Sequence, residues 1–210
     1  ITGTFPTFYL NNGADRSVIQ TIEQWGNIAW SSMDSSFLGA DELTYNATDA
    51  PDLSGVTSAV AMFSGCRALD ATDLTNWNVS TITNMSNMFE NARVFNGNLS
   101  TWEVGNVIDM ASMFEEAQAF NQDIGAWDVS KVTDMTRMLY SLFDFNQDLS
   151  TWNTSSVMDM SSLFERTTAF NQDLSAWNVS QVMNMNGMFK EATAFNSDIS
   201  NWNVENVTNM

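Results

Sequence analysis

The sequence predicts an α/β solenoid, a right-handed array with one short parallel strand and one short helix in each repeat of 25–26 residues. Two observations carry this. Six tryptophans recur every 25 residues, at Trp77, Trp102, Trp127, Trp152, Trp177 and Trp202. Two further columns keep the same interval: Met85 to Met210, and Phe95, Phe120, Phe145, Phe170 and Phe195, each Phe followed by Asn. A fixed period in this range marks repeats that bury their apolar faces only against their neighbours.

Residues 99 to 120 serve as the type unit. Leu99, Trp102, Val104 and Val107 read L-x-x-W-x-V-x-x-V, close to the leucine-rich-repeat strand pattern L-x-x-L-x-L. In that pattern Trp102 and Val104 point inward, and Thr101, Glu103 and Gly105 point outward. From Met110 the spacing becomes three and four residues, through Met113, Phe114 and Ala117, which predicts one face of a short helix. Asp109 precedes it as an N-cap, as do Asn84, Asp134, Asp159, Asn184 and Asn209 elsewhere.

The array reaches further back. Met33, Phe37, Ala40 and Leu43 match Met85, Phe89, Ala92 and Phe95, and Trp25 and Pro51 fall on the tryptophan column at steps of 26. Residues 25–210 are therefore expected to form about eight rungs, truncated at the C-terminus, spanning roughly 34 Å at the usual strand spacing. Residues 1–24 break the pattern and are expected to cap the array. Within them Phe5, Phe8 and Leu10 read as a strand and Asn11-Asn12-Gly13 as a turn.

Of the 32 charged residues 25 are acidic, for a net charge of −18. That balance argues against nucleic acid, whose phosphates need a basic surface, and against anionic lipid. No stretch is apolar enough for a membrane span, so direct membrane insertion is not expected. One cysteine allows no disulfide framework.

The runs Phe120-Asn121-Gln122-Asp123-Ile124-Gly125-Ala126-Trp127-Asp128-Val129-Ser130 and Phe170-Asn171-Gln172-Asp173-Leu174-Ser175-Ala176-Trp177-Asn178-Val179-Ser180 resemble the BspA-like leucine-rich-repeat surface proteins. The subgroup is the one first described in mycoplasma lipoproteins and common in marine bacteria. Phe63-Ser64-Gly65-Cys66-Arg67-Ala68-Leu69 is similar to the F-x-x-C-x-x-L segment of the broader family. The departures are Met138-Leu139 and Leu163-Phe164, where Met-Phe is usual, and Thr167, where Ala is usual. The resemblance implies an extracellular or cell-surface protein that mediates adhesion. It also implies that residues 1–24 end a preceding Ig- or PKD-like domain, whose close Ile1-Thr2-Gly3-Thr4-Phe5-Pro6 resembles.

The chain has no histidine, which removes Ser-His and Cys-His catalysis and histidine metal sites. No enzyme activity is expected. Cys66 sits in a column otherwise held by Ala92, Ala117 and Ala192 and reads as a small buried thiol. The outward positions Asn78, Glu103, Asp128, Asn153, Asn178 and Asn203 form the candidate ligand-binding face, toward a protein or glycan on another surface. Plain solubility explains the same residues. Asp123, Asp148, Asp173 and Asp198 form an acidic column with two readings. They either hold their own turns through backbone donors or hold calcium, the one cofactor this chemistry suggests.

The expected function is a non-catalytic cell-surface binding module presenting a polar, acidic repeat face. The alternative is a rigid spacer or stalk in a large extracellular protein. End-to-end self-association through an exposed core cross-section is a further expectation.

Overall fold

The computed structural model of the chain describes residues 2–5 and 14–210. Strand β1 (Thr2–Phe5) pairs in parallel with β3 (Asn27–Trp30), in the register Thr2↔Asn27 to Phe5↔Trp30. Strand β2 (Thr21–Ile22) pairs in parallel with β4 (Thr44–Tyr45). A 3-10 turn spans Ala14–Ser17. Phe5 lies in β1, whereas Phe8, Leu10 and the Asn11-Asn12-Gly13 turn fall outside the described residues.

The expected α/β solenoid is corrected here. Among the described residues no α-helix forms, and no strand of two or more residues forms after Tyr45. Each repeat is a coil made almost wholly of turns, and isolated parallel bridges and alternate backbone N–H groups join each coil to the next.

The helix fails for a reason visible in its hydrogen bonds. Over 110–117 the N–H groups of Met113, Glu115 and Ala117 turn back to the carbonyls of Met110, Ser112 and Phe114, closing overlapping four-residue turns. The alternate N–H groups leave the coil. Met110, Ser112, Phe114 and Glu116 donate to the carbonyls of Asp134, Thr136, Met138 and Tyr140 in the next coil, at 2.7–3.1 Å. An α-helix would send each of these donors four residues back.

The backbone angles agree. Ser112 and Glu116 have φ of 55° and 58°, left-handed values at the third position of their turns, where a type II turn puts them. The same two columns carry Ser35, Ala61, Asn87, Arg137, Ser162 and Gly187, and Gly39, Gly65, Asn91, Ser141, Arg166 and Glu191. Two left-handed residues per coil prevent a continuous helix.

The expected strand is also displaced. Trp102, Glu103 and Val104 do alternate buried, exposed, buried. Yet turns close on either side, from Trp102 N–H to Leu99 and from Val107 N–H to Val104. The sheet-like contact lies at 108–110. Ile108 N–H donates backward to Thr83 and Met110 N–H forward to Asp134, producing the bridges Asn84↔Asp109↔Asp134↔Asp159↔Asn184↔Asn209.

Inside the coils the apolar columns stack. Tryptophan rings repeat at 6.1 Å (Trp77–Trp102), 6.4 Å (Trp102–Trp127) and 6.5 Å (Trp177–Trp202). Phe95, Phe120, Phe145, Phe170 and Phe195 form a second file at 6.0–6.3 Å. Each buried indole N–H needs an acceptor. Trp102, Trp127, Trp152, Trp177 and Trp202 donate to the carbonyls of Leu74, Leu99, Ile124, Leu149 and Leu174 in the preceding coil. Burying each such aromatic side chain contributes on the order of 2–3 kcal/mol.

Candidate binding faces

Asn78, Glu103, Asp128, Asn153, Asn178 and Asn203 are all exposed and lie on successive coils along one side of the stack. Five of them also fasten their own backbone. The Oδ1 atoms of Asn78, Asp128, Asn153, Asn178 and Asn203 accept the N–H two residues on, from Ser80, Ser130, Ser155, Ser180 and Glu205, at 3.0–3.2 Å. This is an Asx-turn, open to Asn and Asp because their short side chains reach that donor. The amide Nδ2 donors of the asparagines remain for a partner. The Ser130 hydroxyl and then its N–H hold the Asp128 carboxyl below the usual carboxylate range.

Asp123, Asp148, Asp173 and Asp198 form a second exposed file. Each Oδ1 accepts a backbone N–H at 2.8–2.9 Å, from Gly125, Ser150, Ser175 and Ser200. The N–H and then the hydroxyl of Ser150, Ser175 and Ser200 draw the Asp148, Asp173 and Asp198 carboxyls below their ordinary range. For Asp173 this wins over the neighbouring Asp148 and Asp198 charges, which push upward. Among the described residues no group of three or more Asp, Glu or Cys side chains converges to hold a metal ion.

The Asn column beside it ties coils together. Asn96, Asn121, Asn146 and Asn171 each accept, through Oδ1, the N–H of the Asn one coil on, at 2.7–3.3 Å. Gln122, Gln147 and Gln172 add Nε2 donors to the same oxygens at 2.9–3.0 Å. The ladder is exposed to half-buried. Asp109, Asp134 and Asp159, expected as helix N-caps, accept the N–H of Ala111, Thr136 and Ser161. The capping bond forms, but it caps a turn.

Cys66 is the small buried thiol the sequence predicts, but its hydrogen bond and that of Thr167, the cation pairs and an exposed apolar column escaped the sequence pattern. Cys66 and Thr167 share one buried column, and each donates to a carbonyl of the preceding coil: Sγ to Phe37 at 3.1 Å, Oγ1 to Leu139 at 2.6 Å. Burial pushes the Cys66 thiol far up, which keeps it unreactive. Cations gather on the turn face, where Arg137 meets Glu115 at 2.8 Å and lies 4.3 Å from the Tyr140 ring centre. On the same face Lys190 meets Glu165 at 2.7 Å. Ile108, Met158 and Met183 are 49%, 46% and 50% exposed in a single column. Only the left-handed columns carried a sequence signal, in Gly39, Gly65, Gly187, Asn87 and Asn91.

Among the described residues no helix is long and apolar enough to cross a membrane. The sequence model of the family described as "Mycoplasma protein of unknown function, DUF285" matches residues 31–148 and again 119–210. No curated protein matches the chain.

Proposed function

The chain belongs to this mycoplasma protein family of unknown function, and we propose that it is a non-catalytic binding module of an extracellular or cell-surface protein. The observation that carries this reading is the file of exposed Asn, Asp and Glu side chains at Asn78, Glu103, Asp128, Asn153, Asn178 and Asn203. Backbone turn bonds hold five of them in fixed positions, so little side-chain entropy is lost on binding. A repeated polar file on a stacked core suits a protein strand or a glycan chain of similar repeat. The Phe-Asn-Gln-Asp runs, with their BspA-like character, support a surface location. The net charge of −18 favours partners that are neutral or basic.

The Asx-turns determine how the face should be tested. Alanine at Asn153 would remove both the presented group and the turn bond. Asn153→Asp with Asn178→Asp keeps the Oδ1 acceptor, removes the outward Nδ2 donors and adds two negative charges, which a neutral or basic partner tolerates and which do not restore the lost donors. The double variant should melt within about a degree of the parent and lose binding to host-surface protein and glycan arrays by roughly tenfold. Arrays run with and without calcium decide whether the Asp123, Asp148, Asp173 and Asp198 file takes part. A chain that binds neither array, in either condition, is a spacer, and the binding reading is then wrong.

A further inference from the structure

The Asn ladder has an end, and a groove opens there. From Asn96 onward each ladder oxygen accepts from the coil that follows. Asp70 holds the equivalent place one unit earlier, and its direction is reversed: Oδ1 accepts the Tyr45 N–H of the coil before, at 2.9 Å. No glutamine follows it, since Ala71 and Thr72 stand where Gln122 and Gln147 bridge later coils. The extra residue of this 26-residue unit falls in the same segment. With no glutamine bridge here, a groove of about 400 Å³ lies between residues 45–48 and 72–76.

The lining has a definite chemistry. Tyr45 forms part of one wall, its hydroxyl accepting the indole N–H groups of Trp25 at 2.9 Å and Trp77 at 3.4 Å. Asn76 donates across the groove to the Thr48 carbonyl at 3.3 Å. Asn46 spends its Nδ2 on Thr21 and Glu23, which leaves its carbonyl oxygen as an acceptor. Asp73 spends Oδ1 on the Thr75 N–H at 2.9 Å and keeps a second carboxylate oxygen. The Thr48 and Thr72 hydroxyls both donate and accept.

These groups select a ligand class. No Lys or Arg lines the groove, so an anion gains no countercharge. Asp73 is its single carboxylate, too few for a divalent cation, which wants six or more oxygens. Hydroxyls, amides and one ionised acceptor beside an aromatic wall match a neutral molecule rich in hydroxyl groups with C–H faces. We propose that this groove binds a neutral carbohydrate, with Asp73, Thr48, Thr72 and Asn46 hydrogen-bonding its hydroxyls and Tyr45 packing against a ring face. The assignment rests on the binding-module reading above and adds to it a glycan site apart from the Asn153–Asn178 face.

The test uses the whole chain on a printed panel of neutral hexose and N-acetylhexosamine oligosaccharides with sialylated and sulfated counterparts. Calorimetric titration with the best-bound free neutral oligosaccharide follows. Thr48→Val with Thr72→Val removes two exposed hydroxyls at constant shape, and Asp73→Asn keeps the Thr75 turn bond while removing the charge. Each variant should melt as the parent does and bind at least about tenfold more weakly. Preference for sialylated or sulfated glycans, or neutral binding untouched by the groove variants, overturns the assignment. Capture of a protein partner with no glycan binding overturns the groove and leaves the binding module standing. Absence of all binding overturns both.

Discussion

The five 25-residue coils from Trp77 to Trp202 and the two 26-residue units before them share one backbone scheme and differ in their side-chain fastenings. In both regions four alternate N–H groups per coil reach forward: Met33, Ser35, Phe37 and Gly39 donate to the next coil just as Met110, Ser112, Phe114 and Glu116 do. In the regular coils the indole N–H of Trp102 to Trp202 finds a carbonyl 28 residues earlier. In the longer units Trp25 and Trp77 share the Tyr45 hydroxyl instead. The Asn–Gln ladder runs forward after Asn96 and is replaced by the backward Asp70 bond before it. The turn face sets the stack and tolerates an extra residue in the return segment. Side-chain ladders need constant spacing, and they stop where it changes.

The largest expected effect separates the two regions at their tryptophans. Trp127→Ala should cost about 3–5 kcal/mol as a large core deletion, read by urea unfolding. It also removes one of the Leu99 carbonyl's two donors and leaves the Trp102 N–H, just as Trp77→Ala leaves Tyr45 bonded to Trp25. Trp127→Ala should be the costlier by less than about 1 kcal/mol, since its lost bond, at 3.2 Å, is shorter than the 3.4 Å bond of Trp77. Equal losses would show that the two fastenings are equivalent.

Next in size is a repair within the regular coils. Among the described residues Leu142 N–H does not close a turn onto Leu139, although Ala117 closes onto Phe114 and Ala192 onto Phe189. The Thr167 hydroxyl supplies the Leu139 carbonyl with a donor instead. Thr167→Val should destabilise by about 1–3 kcal/mol by leaving that carbonyl unpaired. Cys66→Ala, which removes a weaker thiol donor in the longer units, should cost less in the same melts.

The left-handed columns come third. Gly65, at φ 75°, has the Gly39 Cα at 3.3 Å from where a Cβ would stand. Gly65→Ala should cost about 1–2 kcal/mol. Glu116→Gly, at φ 58°, should be neutral or stabilising, by up to about 1 kcal/mol. Opposite signs in calorimetric melts are the expected result. Two equal losses would remove the backbone explanation for the missing helix.

The smallest effect is in acid. The Asp148, Asp173 and Asp198 carboxyls sit below their unfolded range. Their stabilisation is complete above the unfolded value, about 4, and is lost as pH falls through the lower folded values. Glu115, raised by burial, works with the opposite sign. The melting point should hold between pH 7 and about 5 and fall below about 4. Asp148→Asn with Asp173→Asn should flatten that fall.

Much of this was legible in the sequence, and the misreadings have physical causes. The period, the buried Trp, Met and Phe files and the turn-forming Asn and Asp residues follow from spacing and side-chain reach. Met110, Met113, Phe114 and Ala117 read as a helix because overlapping four-residue turns repeat at the same three- and four-residue steps. The glycines at 39, 65 and 187 and the asparagines at 87 and 91 were the discriminating residues, since those positions need left-handed φ. Trp102–Val104 reads as a strand because in–out alternation is real there, while the ladder lies at Ile108–Met110. The Tyr45 bonds and the groove depend on a one-residue change in period and on contacts between coils, which no local pattern encodes.

The forward N–H donors are the feature on which the fold stands, and scalar couplings across hydrogen bonds observe them directly. In a deuterated, uniformly labelled sample, a long-range HNCO experiment should correlate the Ser112 amide nitrogen with the Thr136 carbonyl carbon. Phe114 should correlate in the same way with Met138, and Glu116 with Tyr140. Correlations from Ser112 to Ile108 and from Phe114 to Met110, the four-residue pattern of an α-helix, would contradict the stack of turns.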